Sequence, residues 1–202
     1  GVRSATATSG PGLALMAEML GLSVMAEVPA VIFVSQRGGP STGMPTKTEQ
    51  SDLNLAVFGG SGDAQRIVLA PTNVEGCWRC AGKAFEMAER YQTPVIVLLD
   101  LYLSNRYETV VVSPDEQFEP NMSKPMVKGK ADEKYQRFAT TDDGISPRAI
   151  PGQLGGIHTV TGLEHNDMGR PSDQPNIHMD MSEKRHNKLA KAIDHPDRKS
   201  VV

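Results

Sequence analysis

"SATATSGPGLALMAEMLGLSVMAEVPAVIFVS", Ser4–Ser35, changes its hydrophobic period twice, and those changes decide the fold. Its first part, "RSATATS" counted from Arg3, is a run of small and β-branched residues that ends at "GPG", where the chain must change direction. Leu13, Met16, Leu20 and Val24 then recur at three- and four-residue spacing, which predicts one amphipathic helix to about Glu27. "AVIFVS" follows as a short, unbroken apolar run of branched residues, the pattern of a strand covered on both faces.

The same alternation continues downstream. "TEQSDLNLAVFG" reads as a helix stopped at Gly59-Gly60, and "QRIVLAP" as another buried strand. Asn73 is placed to cap a helix carrying Trp78, Ala81, Phe85 and Ala88 on one face, and "PVIVLLD" closes the series. Apolar strands alternating with helices predict an α/β fold, a parallel sheet covered by helices on both faces. Past Asp100, "YLSNRYETVVVSPDE" is expected to be a loop and an edge strand. The Pro- and Gly-rich stretch after it reads as an extended arm, and "DMSEKRHNKLAKAIDH" as a polar helix anchored by Met181, Leu189 and Ile193. Residues 1–112 thus form the sheet domain, and residues 113–202 an arm and helix leading to a further domain.

Composition bounds the function. The chain has 202 residues and a net charge of −3, with acids outnumbering bases and no basic tract, so nucleic acid is not an expected partner. Residues 1–60 are nearly uncharged, while charges, prolines and all five histidines gather later, as in a packed core followed by a solvated extension. No apolar run approaches the ~20 residues of a membrane span, and no signal peptide is visible. Two cysteines make no disulfide framework, so a reducing, cytoplasmic setting is expected. The chain opens at Gly1 without methionine, and a fragment entered in mid-fold is the expectation.

Parallel α/β sheets bind ligands at the carboxyl ends of their strands. Two loops sit there. In "QRGGPSTGMPT", Gly38 and Gly39 permit close backbone approach, Pro40 and Pro45 stiffen the loop, and Ser41, Thr42 and Thr46 supply hydroxyls. Arg37 adds a planar fork suited to a carboxylate or phosphate, or else ties the loop to its own carbonyls. "TATSGPG" offers Ser9 and Gly10 at a helix start, a natural anion site, though a tight turn explains it as well. Cys77 and Cys80 of "CWRC" read as small apolar helix residues, with a redox pair not excluded by position. The histidines, His158, His165, His178 and His186 among them, follow no ligand spacing, so no metal is expected. Asp142 and Asp143 read most simply as a turn before Gly144.

"TATSGPGLALMAEMLGLSVMAEVPAVIFVSQRGGPSTGMPTKTEQSDL" resembles the α subunit of 2-oxoacid:ferredoxin oxidoreductases, in particular the 2-oxoglutarate type. The likeness runs on through "APTNVEG", "AERYQTPVIVLLD", "TDDGISPRAIPG", "HTVTGLEHNDMG" and "EKRHNKL", covering nearly the whole chain. It implies the pyrimidine-side domain of the thiamine-diphosphate fold, N-terminally incomplete. It also implies a CoA-dependent oxidative decarboxylation of a 2-oxoacid that yields acyl-CoA, CO2 and reduced ferredoxin. Thiamine diphosphate would lie at the interface with a β subunit, which would hold the magnesium ion and the iron–sulfur cluster. By the same resemblance Arg37 faces the oxoacid carboxylate and Thr42 lies at the substrate pocket, with Ser9, Gly10, Gly38, Gly39 and Ser41 around them. The family's "YPITPS"-like block and activating glutamate do not occur here, and that glutamate is expected upstream of Gly1; Glu18 and Glu27 do not align with it. A non-catalytic α-type chain that only docks a β-type partner is the competing expectation.

Overall fold

A computed structural model of the chain describes residues 3–111, 125–132, 134–190 and 192. Its centre is a four-stranded, all-parallel sheet of β1 (Ala5–Thr8), β2 (Ala30–Gln36), β3 (Ile67–Leu69) and β4 (Pro94–Asp100), in the order β1-β2-β4-β3. Side chains alternate across such a sheet, so each strand serves two cores. Val31, Ile67, Leu69, Val95 and Val97 pack against Cys80, Ala84, Met87, Ala88 and Tyr91 of α4 (Val74–Tyr91). Ile32, Val34, Val68, Ile96 and Leu98 face the other way. They meet Leu13 of α1 (Gly10–Leu15), Leu20 of α2 (Ala17–Met25) and Ala56 of α3 (Leu53–Phe58). The expected sheet with helices on both faces is therefore present.

The helix expected over Leu13–Glu27 is broken in two. Met16 has φ −92° and ψ 0°, and its N–H is shared between the carbonyls of Gly12 and Leu13, both at 3.1 Å. That single tight turn lets α1 press onto the end of β1 while α2 still buries Leu20 and Val24. Gly12 is held by this closeness, because a Cβ there would overlap Thr8 Oγ1. Gly12→Ala is expected to destabilise by about 1–3 kcal/mol despite its better helix propensity, with Thr8→Ala restoring the loss. Urea midpoints of the two single variants and the double variant check this.

Three other expectations change. The helix read from Thr48 begins only at Leu53, because Gln50 and Asp52 are bonded outward to the sheet, as described below. On α4 the buried stripe is Cys80, Ala84, Met87, Ala88 and Tyr91, which leaves Trp78 46 % exposed. Asn73 does cap that helix, accepting from Gly76 N–H at 2.7 Å. After β4 the chain forms the short helix α5 (Leu101–Ser104), and residues 105–111 make no strand. The remainder of the expected edge strand lies outside the described residues.

The arm is not a solvated extension. Arg137, Phe138, Ser146 and His165 are buried, as are Met181, Lys184 and Lys188 of α6 (Pro175–Ala190). Leu189 packs on the α4 core as expected, and Ile193 lies outside the described residues. These arm residues meet the ends of α2 and α4, where the chain turns into β2 and β4. Glu27 and Gln92 stand there with φ 49°, a left-handed helix end that favours glycine. Each keeps a polar side chain because the arm uses it. Glu27 pairs with Lys184 and, at 3.2 Å, with Lys188. Arg137 donates to the Glu27 carbonyl at 2.8 Å and to Gln92 Oε1 at 2.9 Å, while Gln92 donates to the Ser146 carbonyl at 2.7 Å. Charge was expected to mean solvent; here it is the contact that docks the arm.

Candidate functional site

All four strands end on one side of the molecule, and the segments leaving β2 and β4 are bonded to one another. Gln36, the last residue of β2 and buried, accepts the Asp52 N–H at 2.9 Å. Gln50 donates to Asp100 Oδ2 at 2.7 Å, and Asp100 Oδ1 accepts the Leu103 N–H at 2.7 Å, capping α5. Ser35 and Ser104 share a hydroxyl bond of 2.7 Å, and Ser104 also donates to the Asp100 carbonyl at 2.8 Å. The loop from Arg37 to Ser51 is thus closed at its neck.

Within the loop the Gly38 N–H donates to the Lys47 carbonyl at 2.9 Å, and the Met44 N–H to the Gly38 carbonyl at 2.8 Å. Gly43 takes φ +50°, and a side chain there would overlap the Gly38 carbonyl, so only glycine closes this turn. Ser41 and Thr42 are exposed at its tip, Gly38 is buried, and Gly39 is half-buried. Arg37 sits at the root, half-buried, with its Nε buried and unbonded among the described residues. It does not tie the loop to carbonyls. A buried donor left unbonded costs roughly 1–3 kcal/mol, which an incoming acceptor would recover.

The two glycine stretches face the chain's own acids. A Cβ on Gly10 would stand 2.5 Å from Asp52 Oδ1, and one on Gly38 would stand 3.3 Å from Glu49 Oε2. Burial, and then the Glu49 charge, raise the Asp52 carboxyl above its ordinary range. Ser9 is half-buried beside Gly10, and its side chain makes no capping bond to α1. Around this rim the segments leaving the strand ends expose Leu15, Met44, Trp78 and Tyr102. An open groove of about 560 Å³, lined by Met126, Val127, Ile150 and Gln153, lies in the arm instead.

The other sequence candidates find structural partners. Burial, and then the neighbouring Cys77, push the Cys80 thiol up to about 11, and burial raises Cys77 as well. Thiolate is the reactive form, so these shifts favour the reading of both as small apolar helix residues. At pH 8 Ellman's reagent is expected to leave Cys80 unlabelled in the native protein and to label both cysteines after unfolding; fast native labelling of both would restore the redox reading. His165 is fully buried, with Nδ1 2.9 Å from the Asn166 carbonyl and Nε2 3.0 Å from that of Met25. His178 pairs with Glu164, which Arg185 also holds at 2.9 Å. Asp143 Oδ1 accepts the Ile145 N–H at 3.0 Å, the turn expected before Gly144. Among the described residues no three His, Cys, Asp or Glu side chains gather to hold a metal ion.

Reading residue by residue missed Gln36, Gln50 and Asp100, the neck of the loop. The one available signal was Gln36 itself, an uncharged polar side chain ending an apolar strand.

Residues 1–184 match the domain family described as "Pyruvate flavodoxin/ferredoxin oxidoreductase, thiamine diP-bdg". The chain is 45% identical over 189 residues to "2-oxoacid:ferredoxin oxidoreductase 1, subunit alpha" of Sulfurisphaera tokodaii, a match covering 94% of this chain and 30% of that protein. It is 41% identical over 180 residues to "2-oxoglutarate oxidoreductase subunit KorA" of Mycobacterium tuberculosis, covering 88% of this chain and 27% of the relative. Among solved structures it is similar to 2-oxoglutarate:ferredoxin oxidoreductase from Magnetococcus marinus, with 2-oxoglutarate, coenzyme A and succinyl-CoA bound. That likeness has a TM-score of 0.91 and 46% identity, and it covers 96% of this chain and 34% of the other. The chain thus spans about a third of the length of these proteins.

Proposed function

The chain belongs to the pyruvate flavodoxin/ferredoxin oxidoreductase family of thiamine-diphosphate-binding domains, and from that premise we propose that it is the α-subunit part of a 2-oxoacid:ferredoxin oxidoreductase, with 2-oxoglutarate as its first substrate. The reaction joins a 2-oxoacid to CoA, releases CO2, and passes two electrons to ferredoxin. Arg37 carries the reading: a half-buried guanidinium with an unbonded buried Nε, at the root of a closed loop at the strand ends. It binds the oxoacid carboxylate, and Thr42 at the loop tip bonds nearby.

Thiamine diphosphate, when bound, supplies the nucleophilic carbon and the electron sink. The residues present fit its uncharged end. Ser9, Gly10, Gly38, Gly39 and Ser41 offer backbone and hydroxyls, whereas Asp52 and Glu49 on the same wall repel a diphosphate. The diphosphate, its magnesium ion and the iron–sulfur cluster are therefore assigned to a β subunit, docked on the apolar rim of Leu15, Met44, Trp78 and Tyr102. Among the described residues no helix is long and apolar enough to cross a membrane. The reaction is assigned to the cytoplasm, where the free thiols of Cys77 and Cys80 persist.

The test is ferredoxin reduction by the α chain assembled with its β subunit. Turnover is expected with 2-oxoglutarate and CoA together, and with neither alone. An assembled complex that reduces ferredoxin with no 2-oxoacid would overturn the proposal.

A further inference from the structure

We propose that Gln36 is the residue that positions Arg37 for its substrate. The inference rests on the reading of Arg37 given above. Gln36 ends β2 and Arg37 follows it directly, so whatever holds Gln36 holds the root of the loop that carries Arg37. The Gln36 side chain points into the protein, is 4% exposed, and accepts the N–H of Asp52, sixteen residues on. Asp52 is where the loop returns and α3 begins, and its own side chain does not cap that helix. The amide of Gln36 therefore fixes both the return point of the loop and the start of α3.

Two further contacts make this neck the hinge of the site. Gln36 is in register with Asp100 of β4, and Asp100 accepts from Gln50, two residues before Asp52. The Asp52 carboxylate lies against Gly10 in the turn leaving β1. The buried amide thus fixes the return of the loop at Asp52, beside the turn leaving β1 and two residues from the Gln50 bond to β4. Inside the loop the bonds Gly38–Lys47 and Met44–Gly38 preserve its shape. Without the neck, that preformed loop swings as a unit and carries Arg37 with it. Misplacing a binding group by about 1 Å is enough to lose a well-aligned contact.

A neutral acceptor also suits the surroundings better than an acid. Glu49, Asp52 and Asp100 already bring three acids to the neck, and a fourth would raise the repulsion there.

The experiment uses the α chain assembled with its β subunit. Gln36→Leu removes the acceptor and keeps the volume. It is expected to raise KM for the 2-oxoacid about tenfold while leaving KM for CoA within about twofold. Gln50→Ala, at an exposed position and so harmless to folding, is expected to show the same split at about threefold. Gln36→Glu keeps an acceptor oxygen but adds an acid, and is expected to rescue the oxoacid KM in part, to about threefold above the unmutated value. Equal shifts in both KM values, or no shift in either variant, overturn the positioning role. If Gln36→Leu fails to fold, the Gln50→Ala split decides alone. An unmutated complex without 2-oxoacid turnover would overturn the parent reading instead; an active one with unmoved variants sinks only this inference.

Discussion

Arg37→Ala in the assembled enzyme is expected to raise KM for the 2-oxoacid by at least about 30-fold, with KM for CoA nearly unchanged. The guanidinium is half-buried at the root of a closed loop, and its Nε has no bond to give up when substrate arrives. A desolvated Arg–carboxylate contact of this kind is worth roughly 2–5 kcal/mol by truncation. Arg37→Lys keeps the charge but loses the planar fork, and is expected to recover only part of the loss. Steady-state kinetics with both substrates varied check the split. Unmoved constants for both substrates would remove Arg37 from the site.

Glu27→Ala is expected to destabilise the protein by about 3–5 kcal/mol. Glu27 is 1% exposed and balances Lys184, Lys188 and Arg137, all of them buried. Without it three cations remain together in the interior. Burial alone would raise the Glu27 carboxyl, but Lys188, Lys184 and Arg137 outweigh burial and hold it below the ordinary carboxylate range. A carboxyl depressed in the folded state stabilises fully above the unfolded value. That stability is lost as pH falls through the folded value, so this loss belongs to the acid side. Burial, only partly offset by Glu27, lowers Lys188 to about 8 from 10.5. Between those values the unfolded chain binds more protons than the folded one, so this lysine makes stability rise with pH across that window. Urea unfolding from pH 3 to 10 tests both signs. Lys188→Met is expected to reduce the alkaline rise, with burial of Lys184 carrying the remainder, and Glu27→Leu with Lys184→Met and Lys188→Met to recover most of the loss in Glu27→Ala. A Glu27→Ala midpoint equal to that of the unmutated protein would show the cluster to be energetically idle.

The strands and the site loop were legible because their signals are local. "AVIFV" and "PVIVLL" are apolar at every position, the pattern of strands with helices on both faces. The Arg37 loop was legible by composition, since Gly, Pro and hydroxyl residues around one charge are costly in a plain connection. Helix detail was less legible. Of the expected α4 stripe, Ala88 is buried and Phe85 packs on the core, but Trp78 is exposed, and periodicity alone does not find Cys80, Ala84, Met87 and Tyr91 beside them. Cys80, Ala84 and Met87 pack on the sheet core, while Trp78 is left exposed.

The sequence by itself determined the alternation of strand and helix, the parallel sheet, and which end of it carries the arginine loop, since each follows from period and turn chemistry within a few neighbouring residues. Tertiary structure alone decided that Gln36 closes on Asp52, that Glu27 neutralises lysines more than 150 residues away, and that a polar arm is packed rather than solvated. The physical reason is burial of charge. A lysine written in the chain looks the same in water or in a core, and only a carboxylate brought to it from a distant turn makes the core affordable.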